Sequence, residues 1–126
     1  MAARGTRTKK QGVTFEQVRE LLLALPGMEE GTSFGTPAFR VRKQFIARFH
    51  EDGESLVLKV DPEAREVLTR AEPESCYITA HYEGYPSYML VRLAKVRREL
   101  LEKLLEDSWR MSASKRQLAE REQSGG

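Results

Sequence analysis

The chain has 126 residues, one cysteine and a formal charge of +2, from 21 Lys and Arg against 19 Asp and Glu. A composition of 40% hydrophobic and 32% charged residues describes one globular domain with its own core; the lone cysteine excludes an internal disulfide, and no apolar run approaches the ~18 residues of a membrane span. The charge is uneven: Arg4, Arg7, Lys9 and Lys10 stand in residues 1–12 without an acid, so the remainder carries 17 basic against 19 acidic side chains, a net of −2, which excludes a broadly basic nucleic-acid binder.

Residues 1–12 are polar, basic and aperiodic, and a disordered tail is expected there. No apolar segment follows them as a signal peptide requires, so a cytoplasmic protein is expected. A first helix opens at Thr14, which has capping-box spacing to Gln17, with Val13 and Val18 at staple positions. Phe15, Val18, Leu21, Leu22 and Leu25 give it one buried face, and Pro26-Gly27 ends it. Met28 to Thr36 reads as a glycine-punctuated loop. Its Gly-Thr-Ser-Phe-Gly string lacks the Gly-Lys-Ser/Thr of a phosphate loop, and the adjacent Glu29 and Glu30 read as solvated acids rather than a metal or acid–base pair.

Three strands follow. Phe39 and Val41 alternate with Arg40 and Arg42; Lys43-Gln44 is the expected turn; Phe45, Ala47 and Phe49 alternate with Ile46, Arg48 and His50. Asp52-Gly53 marks a tight hairpin, after which Leu56, Leu58 and Val60 alternate with Ser55, Val57 and Lys59. With simple registers Arg40, Arg42, Arg48, His50 and Lys59 share one face. Asp61-Pro62-Glu63 starts a second helix with a narrow stripe of Ala64, Val67, Leu68 and Ala71, and Pro73 stops it. Cys76 to Thr79 and Tyr88 to Leu93 are two further strands, separated by the aromatic loop His81 to Pro86. A last helix from about Arg97 to Met111 buries Leu100, Leu101, Leu104, Leu105 and Trp109. Beyond Ser112 the chain is polar, and 119–126 is expected to be a disordered tail. The order helix, three strands, helix, two strands, helix predicts an α+β two-layer sandwich over residues 13–118. Single-stripe helices would cover one face of an antiparallel sheet and leave the other face open.

The run Leu25-Pro26-Gly27-Met28-Glu29-Glu30, then Ser33-Phe34-Gly35-Thr36-Pro37-Ala38-Phe39-Arg40, closely resembles the MmcQ/YjbR family, as do Leu58-Lys59-Val60-Asp61-Pro62-Glu63 and the aromatic loop Tyr82-Glu83-Gly84-Tyr85-Pro86. Trp109-Arg110 and Lys115-Arg116 are similar to its C-terminal signature. The chain departs from the family pattern at Tyr88, where Trp is common, and at Ser114, where Pro precedes the Lys-Arg pair. The resemblance implies the same sandwich, akin to the CyaY and type III secretion chaperone folds, and a double-wing domain of DNA-binding type.

Three functions are open to such a chain. In a nucleic-acid-binding module Arg40, Arg42, Arg48, Lys59 and Arg92 would meet phosphates from the open sheet face, with Lys43 at a wing tip and Lys115 and Arg116 adding backbone contacts. Phe34, Tyr82, Tyr85 and Tyr88 would stack on bases or line the rim. In a protein-binding or self-associating adaptor, Val57, Tyr88 and Leu90 would supply apolar contact on that face. In a small-ligand protein, Ser33, Thr36, Tyr82 and Tyr85 would frame an anion pocket with Lys59. No catalytic set is expected: His50 and His81 lack metal-ligand spacing, Cys76 reads as a small buried hydrophobe, and Ser33 and Thr36 have no base. Neither a cofactor nor a metal is expected.

Overall fold

Alternating strands and single-stripe helices condense into two layers. The structure, a computed structural model, describes residues 12–125. Its elements are α1 (Phe15–Leu23), β1 (Met28–Ser33), β2 (Thr36–Val41), β3 (Gln44–Phe49), β4 (Ser55–Lys59), α2 (Pro62–Ala71), β5 (Cys76–Tyr77), a 3₁₀ turn (Ala80–Gly84), β6 (Tyr88–Arg92), α3 (Arg98–Arg110) and α4 (Lys115–Gly125). The strands form one antiparallel sheet in the order β1-β2-β3-β4-β6-β5, and the main core lies between one face of it and the helices. The α+β sandwich predicted from the sequence is the observed fold. None of the described helices is long and apolar enough to cross a membrane.

The helix caps are as the spacing predicts. Thr14 and Gln17 close a reciprocal capping box, and the Asp61 carboxylate accepts the N–H groups of Glu63 and Ala64. In the core, Trp109 is fully buried and its Nε1–H donates to the Pro26 carbonyl at 2.8 Å, tying α3 to the end of the α1 segment.

Two elements are additional to the predicted order. The stretch read as a loop from Met28 is β1, paired with β2 from Met28↔Val41 to Ser33↔Thr36. It is an edge strand in which only Met28 is buried, so no apolar alternation reports it. The polar segment expected to fray after residue 118 belongs to α4, which begins at a second capping box: Ser114 Oγ accepts from Gln117 N–H, and Gln117 Oε1 from Ser114 N–H. The expected basic tail lies outside the described residues except for Gly12, whose N–H donates to the Val96 carbonyl.

The turns also differ. Arg42 and Lys43, not Lys43 and Gln44, make the β2–β3 turn, both with positive φ (+54° and +67°), and Phe34-Gly35 makes the β1–β2 turn with +53° and +79°. Two consecutive positive φ values match the twist of a two-residue hairpin, and here non-glycine residues carry three of the four.

The largest departure is in β3. Phe39 pairs with Ala47 and Arg40 with Phe45, so Ile46 is an unpaired extra residue, a β-bulge. Ile46 and Ala47 both enter the helix-side core, and Phe45 turns to the opposite face beside Arg40. Strict alternation assigns Phe45 and Ile46 the other way round. The opposite face is itself not open: Val57 and Leu90 are buried with Tyr82 in a second, smaller cluster that Phe45, Tyr77, Ile78 and Tyr88 border. The apolar contact an adaptor would have drawn from Val57 and Leu90 is therefore spent internally.

Glu106 on α3 accepts from Arg121 on α4 through both carboxylate oxygens (Nη2–Oε1 2.9 Å, Nε–Oε2 3.3 Å), with Arg110 also at 3.3 Å. Hydrogen bonds from Arg121, against some opposing burial, hold the Glu106 carboxyl below its ordinary 4.5. Because the folded value is depressed, this contribution to α4 docking is complete above about pH 4.5 and disappears as pH falls through the folded value. The protection factors of α4 amides, corrected for the intrinsic pH dependence of exchange, should therefore fall as pH drops below about 4.5, by an amount consistent with a pair worth on the order of 1 kcal/mol. Arg121→Ala should exchange fast throughout; an α4 equally protected above and below that pH would remove the pair's role in docking.

Candidate functional site

The bulge and the aromatic loop together make a cleft of about 390 Å³ on the sheet face away from the helices. Its floor is built from strands: Phe45 on β3, Val57 on β4 and Tyr88 on β6, with Phe45 and Tyr88 edge to face at 5.5 Å. The 3₁₀ turn and the residues after it form one wall with His81, Tyr82 and Tyr85, and Ser33 and Phe34 at the β1–β2 turn form the other. The rings interlock, Tyr82 lying 6.2 Å from Tyr88 and 6.4 Å from Tyr85, and His81 4.6 Å from Tyr82. Phe34 and Tyr85 remain 79% and 51% exposed.

Arg48 is the cation of this cleft, and it is only 6% exposed. A buried guanidinium needs partners. Nη1 approaches Glu51 Oε1 at 3.2 Å, the Phe49 carbonyl at 3.4 Å and, at the long limit of 3.5 Å, Thr36 Oγ1; Nη2 donates to Tyr82 Oη at 3.1 Å. The Phe34 ring caps it, with the guanidinium carbon 5.0 Å from the ring centroid. A hydrogen bond from its own backbone N–H, then Arg48 and His50, outweigh partial burial and hold Glu51 below the ordinary carboxylate range. The pair is therefore ionised and formally neutral at pH 7. Thr36, expected to line the pocket, instead braces it by donating to the Ser33 carbonyl at 3.1 Å and lying beside Arg48.

A residue of α2 holds the aromatic wall. Arg65 on α2 directs Nη1 at three carbonyls, those of Tyr82 (3.0 Å), Tyr85 (2.8 Å) and Tyr88 (3.0 Å). The three tyrosines already step along one another by N–H···O=C bonds from Tyr85 to Tyr82 and from Tyr88 to Tyr85, so one guanidinium fixes the whole loop. In the sequence Arg65 is one of several charges on a narrow-striped helix, and nothing in its neighbourhood marks it. Phe45 was legible in principle: three consecutive apolar residues, Phe45-Ile46-Ala47, break the alternation as a bulge does.

The remaining basic candidates do not join the cleft. Arg42 Nη1 donates to the Ser112 carbonyl and Lys59 Nζ to Ser112 Oγ at 3.0 Å, so both sit at the C-terminal end of α3, where cations complement the helix dipole. Lys59 therefore is not the cation of an anion pocket with Ser33 and Tyr85. Lys43 is exposed at its turn, and Lys115 and Arg116 are exposed in the first turn of α4, on the helical side. Arg92 lies over the Tyr77 ring at 4.0 Å and donates to the Glu74 carbonyl. Arg40 is on the cleft face opposite Phe45, makes no hydrogen bond or ion pair among the described residues, and lies along Gly31, where an added Cβ would come within 3.8 Å of its Nη1. A continuous basic face is not formed. Among the other candidates, Glu30 is paired to Arg19 at 2.8 Å, His50 sits between Glu51 and Asp52, and burial pushes the enclosed Cys76 thiol up to about 11.

Comparisons with known proteins agree on the fold. A family profile described as YjbR matches residues 23–111. The crystal structure of protein DR2400 of Deinococcus radiodurans, with domain DUF419, is similar at 30% identity over 89% of this chain and 88% of that chain, with a TM-score of 0.69. No curated protein matches the chain.

Two variants probe the cleft walls. A bulky side chain at positive φ costs about 1–2 kcal/mol, whereas a cation–π contact made by a ring that is itself largely exposed returns roughly 0.5–1 kcal/mol, so Phe34→Asn should raise stability by about 0.5–1 kcal/mol in urea melts. A destabilised Phe34→Asn would mean the ring contributes more than its exposure allows. Arg65→Ala, which removes the one side-chain donor shared by three carbonyls, should cost about 2 kcal/mol and broaden the NMR signals of Tyr82 and Tyr85; sharp, unshifted tyrosine signals would show that the loop holds itself.

Proposed function

The chain belongs to the YjbR family, and from the cleft it carries we propose that it is a non-enzymatic module that binds single-stranded nucleic acid, seating one unstacked base in the cleft. The observation that carries this reading is a buried guanidinium, with N–H groups that no described residue accepts, lining a cleft walled by aromatic rings, two of which, Phe34 and Tyr85, are solvent-exposed. Aromatic rings at an open mouth take a base by its π-face, at roughly 1–3 kcal/mol per base, without needing a wide positive field. That suits a domain whose residues 13–126 net −2.

Duplex recognition by a double wing is the less favoured form of the same idea. It calls for cations spread over one surface, whereas Arg42 and Lys59 are committed to Ser112 and Arg92 to Tyr77 and Glu74. On the cleft face Arg40 is the cation available for a phosphate, and its lean along Gly31 directs it toward the Phe34 turn. A reducing, cytoplasmic setting suits the buried thiol of Cys76.

Fluorescence anisotropy with labelled single strands and matched duplexes tests the proposal. Single strands should bind more tightly than duplexes, and Tyr85→Ala should weaken binding about tenfold. With one or two phosphate contacts, the slope of log K against log salt should be roughly −0.7 to −1.4, and Arg40→Ala should flatten it. Equal affinity for duplex and single strand, or a slope several times steeper, would point to a broad electrostatic surface and end the cleft reading.

A further inference from the structure

The unspent donors of Arg48 discriminate among bases. Nη1 is committed to three acceptors and Nη2 gives one hydrogen to Tyr82 Oη, which leaves Nε–H and one Nη2–H without an acceptor among the described residues. Nε and Nη2 form the side edge of a guanidinium, the edge with which Arg19 grips both oxygens of Glu30 in this same chain. Two parallel donors on a guanidinium that lines the cleft call for two adjacent acceptors. Charge narrows the choice. Glu51, 3.2 Å from Arg48, cancels its charge, so a carboxylate or phosphate brought to this edge gains little net attraction and meets a second anion. A neutral acceptor edge meets no such opposition.

Guanine offers adjacent N7 and O6 acceptors, adenine sets a donor beside N7, and thymine offers O4 with a methyl group. Cytosine also has two neighbouring acceptors, N3 and O2, but on a single ring that overlaps less with the flanking aromatics. Resting on the single-strand reading above, we infer that the cleft is a guanine site. Arg48 donates Nε–H and Nη2–H to N7 and O6, and the base stacks against the rings of Phe34 and Tyr85. Arg48 is then the specificity-determining residue. Its bonds to Thr36, Glu51 and Tyr82 hold the guanidinium plane in position, and the sugar and phosphate lie outside toward Arg40.

The test compares thymine heptamers carrying a single central guanine, adenine, cytosine, thymine or 7-deazaguanine, together with free guanosine monophosphate, on the full chain and on Arg48→Lys. The guanine strand should bind about tenfold more tightly than the all-thymine strand, and 7-deazaguanine, which lacks the N7 acceptor but keeps the ring, should lose most of that gain. Arg48→Lys keeps the charge without the paired donors and should bind all strands alike. Should that variant fail to fold, the deaza comparison on the unaltered chain decides alone. Equal binding of guanine and 7-deazaguanine strands would overturn the guanine site while leaving single-strand binding intact. Binding of the free nucleotide without any strand would uphold the guanine site and overturn the single-strand reading, and no binding to any probe would end both.

Discussion

Ile46 has no partner across the β2–β3 ladder, and that unpaired residue sets the identity of both sheet faces. A strand alternates with a period of two, so an inserted residue reverses the facing of everything on one side of it. Here it sends Ile46 and Ala47 together into the helix-side core and brings Phe45 round to join Arg48 and Arg40. The bulge leaves ladder groups without their regular partners, and the buried Ser108 on α3 reaches back to the Ile46 carbonyl, at a long 3.5 Å. Without the bulge, Phe45 would compete for space under the helices and the cleft would lose the ring that meets Tyr88.

Around that floor, polar chemistry is placed by the chain's own charges. A guanidinium as buried as Arg48 is tolerated because four groups from β2, β3, the β3–β4 loop and the aromatic turn meet it, and each also becomes oriented by it. Arg65 works from α2, tying the carbonyls of Tyr82 and Tyr85 in the wall to that of Tyr88 at the start of β6. Phe34 sits over the result in a left-handed backbone conformation that a phenyl side chain adopts only at a cost. Strain of this kind, in an exposed residue at the rim of a cleft, is where backbone outliers accompany binding sites.

The helices α1 to α3, the caps of α1 and α2, β2, β4 and β6 and the side-chain facing of β6 were all legible in the sequence, because each rests on a local pattern: the spacing of Thr14 and Gln17, Asp61-Pro62, the alternation from Tyr88 to Leu93. β1 was not legible, since an edge strand with one buried residue carries no period. The start of α4 carried the same capping signal as α1 in Ser114 and Gln117, and its polar composition concealed it. The site was half legible. The aromatic residues were found and the arginines were found, but their assortment was not, because which cation meets which ring depends on the bulge and on where long side chains bend. Lys59 sits at the correct parity for the cleft face and still turns to Ser112, as a strand-end side chain can. Sequence periodicity specifies a face, and it does not specify where four methylenes carry a charge.

The second helix has a thermodynamic role out of proportion to its packing. No residue of α2 is fully buried, and Val67 is 63% exposed, so by contact density it belongs to the weakly held part of the fold. Its Arg65 nevertheless holds the carbonyls of Tyr82, Tyr85 and Tyr88. The helix and the aromatic loop are consequently coupled through one side chain: when α2 unravels, the wall loses its anchor, and when the wall is held, unravelling of α2 costs more. By mass action, any molecule seated between Phe34 and Tyr85 stabilises a helix it never touches, and the protection of α2 amides becomes a reporter of occupancy some distance from the cleft itself.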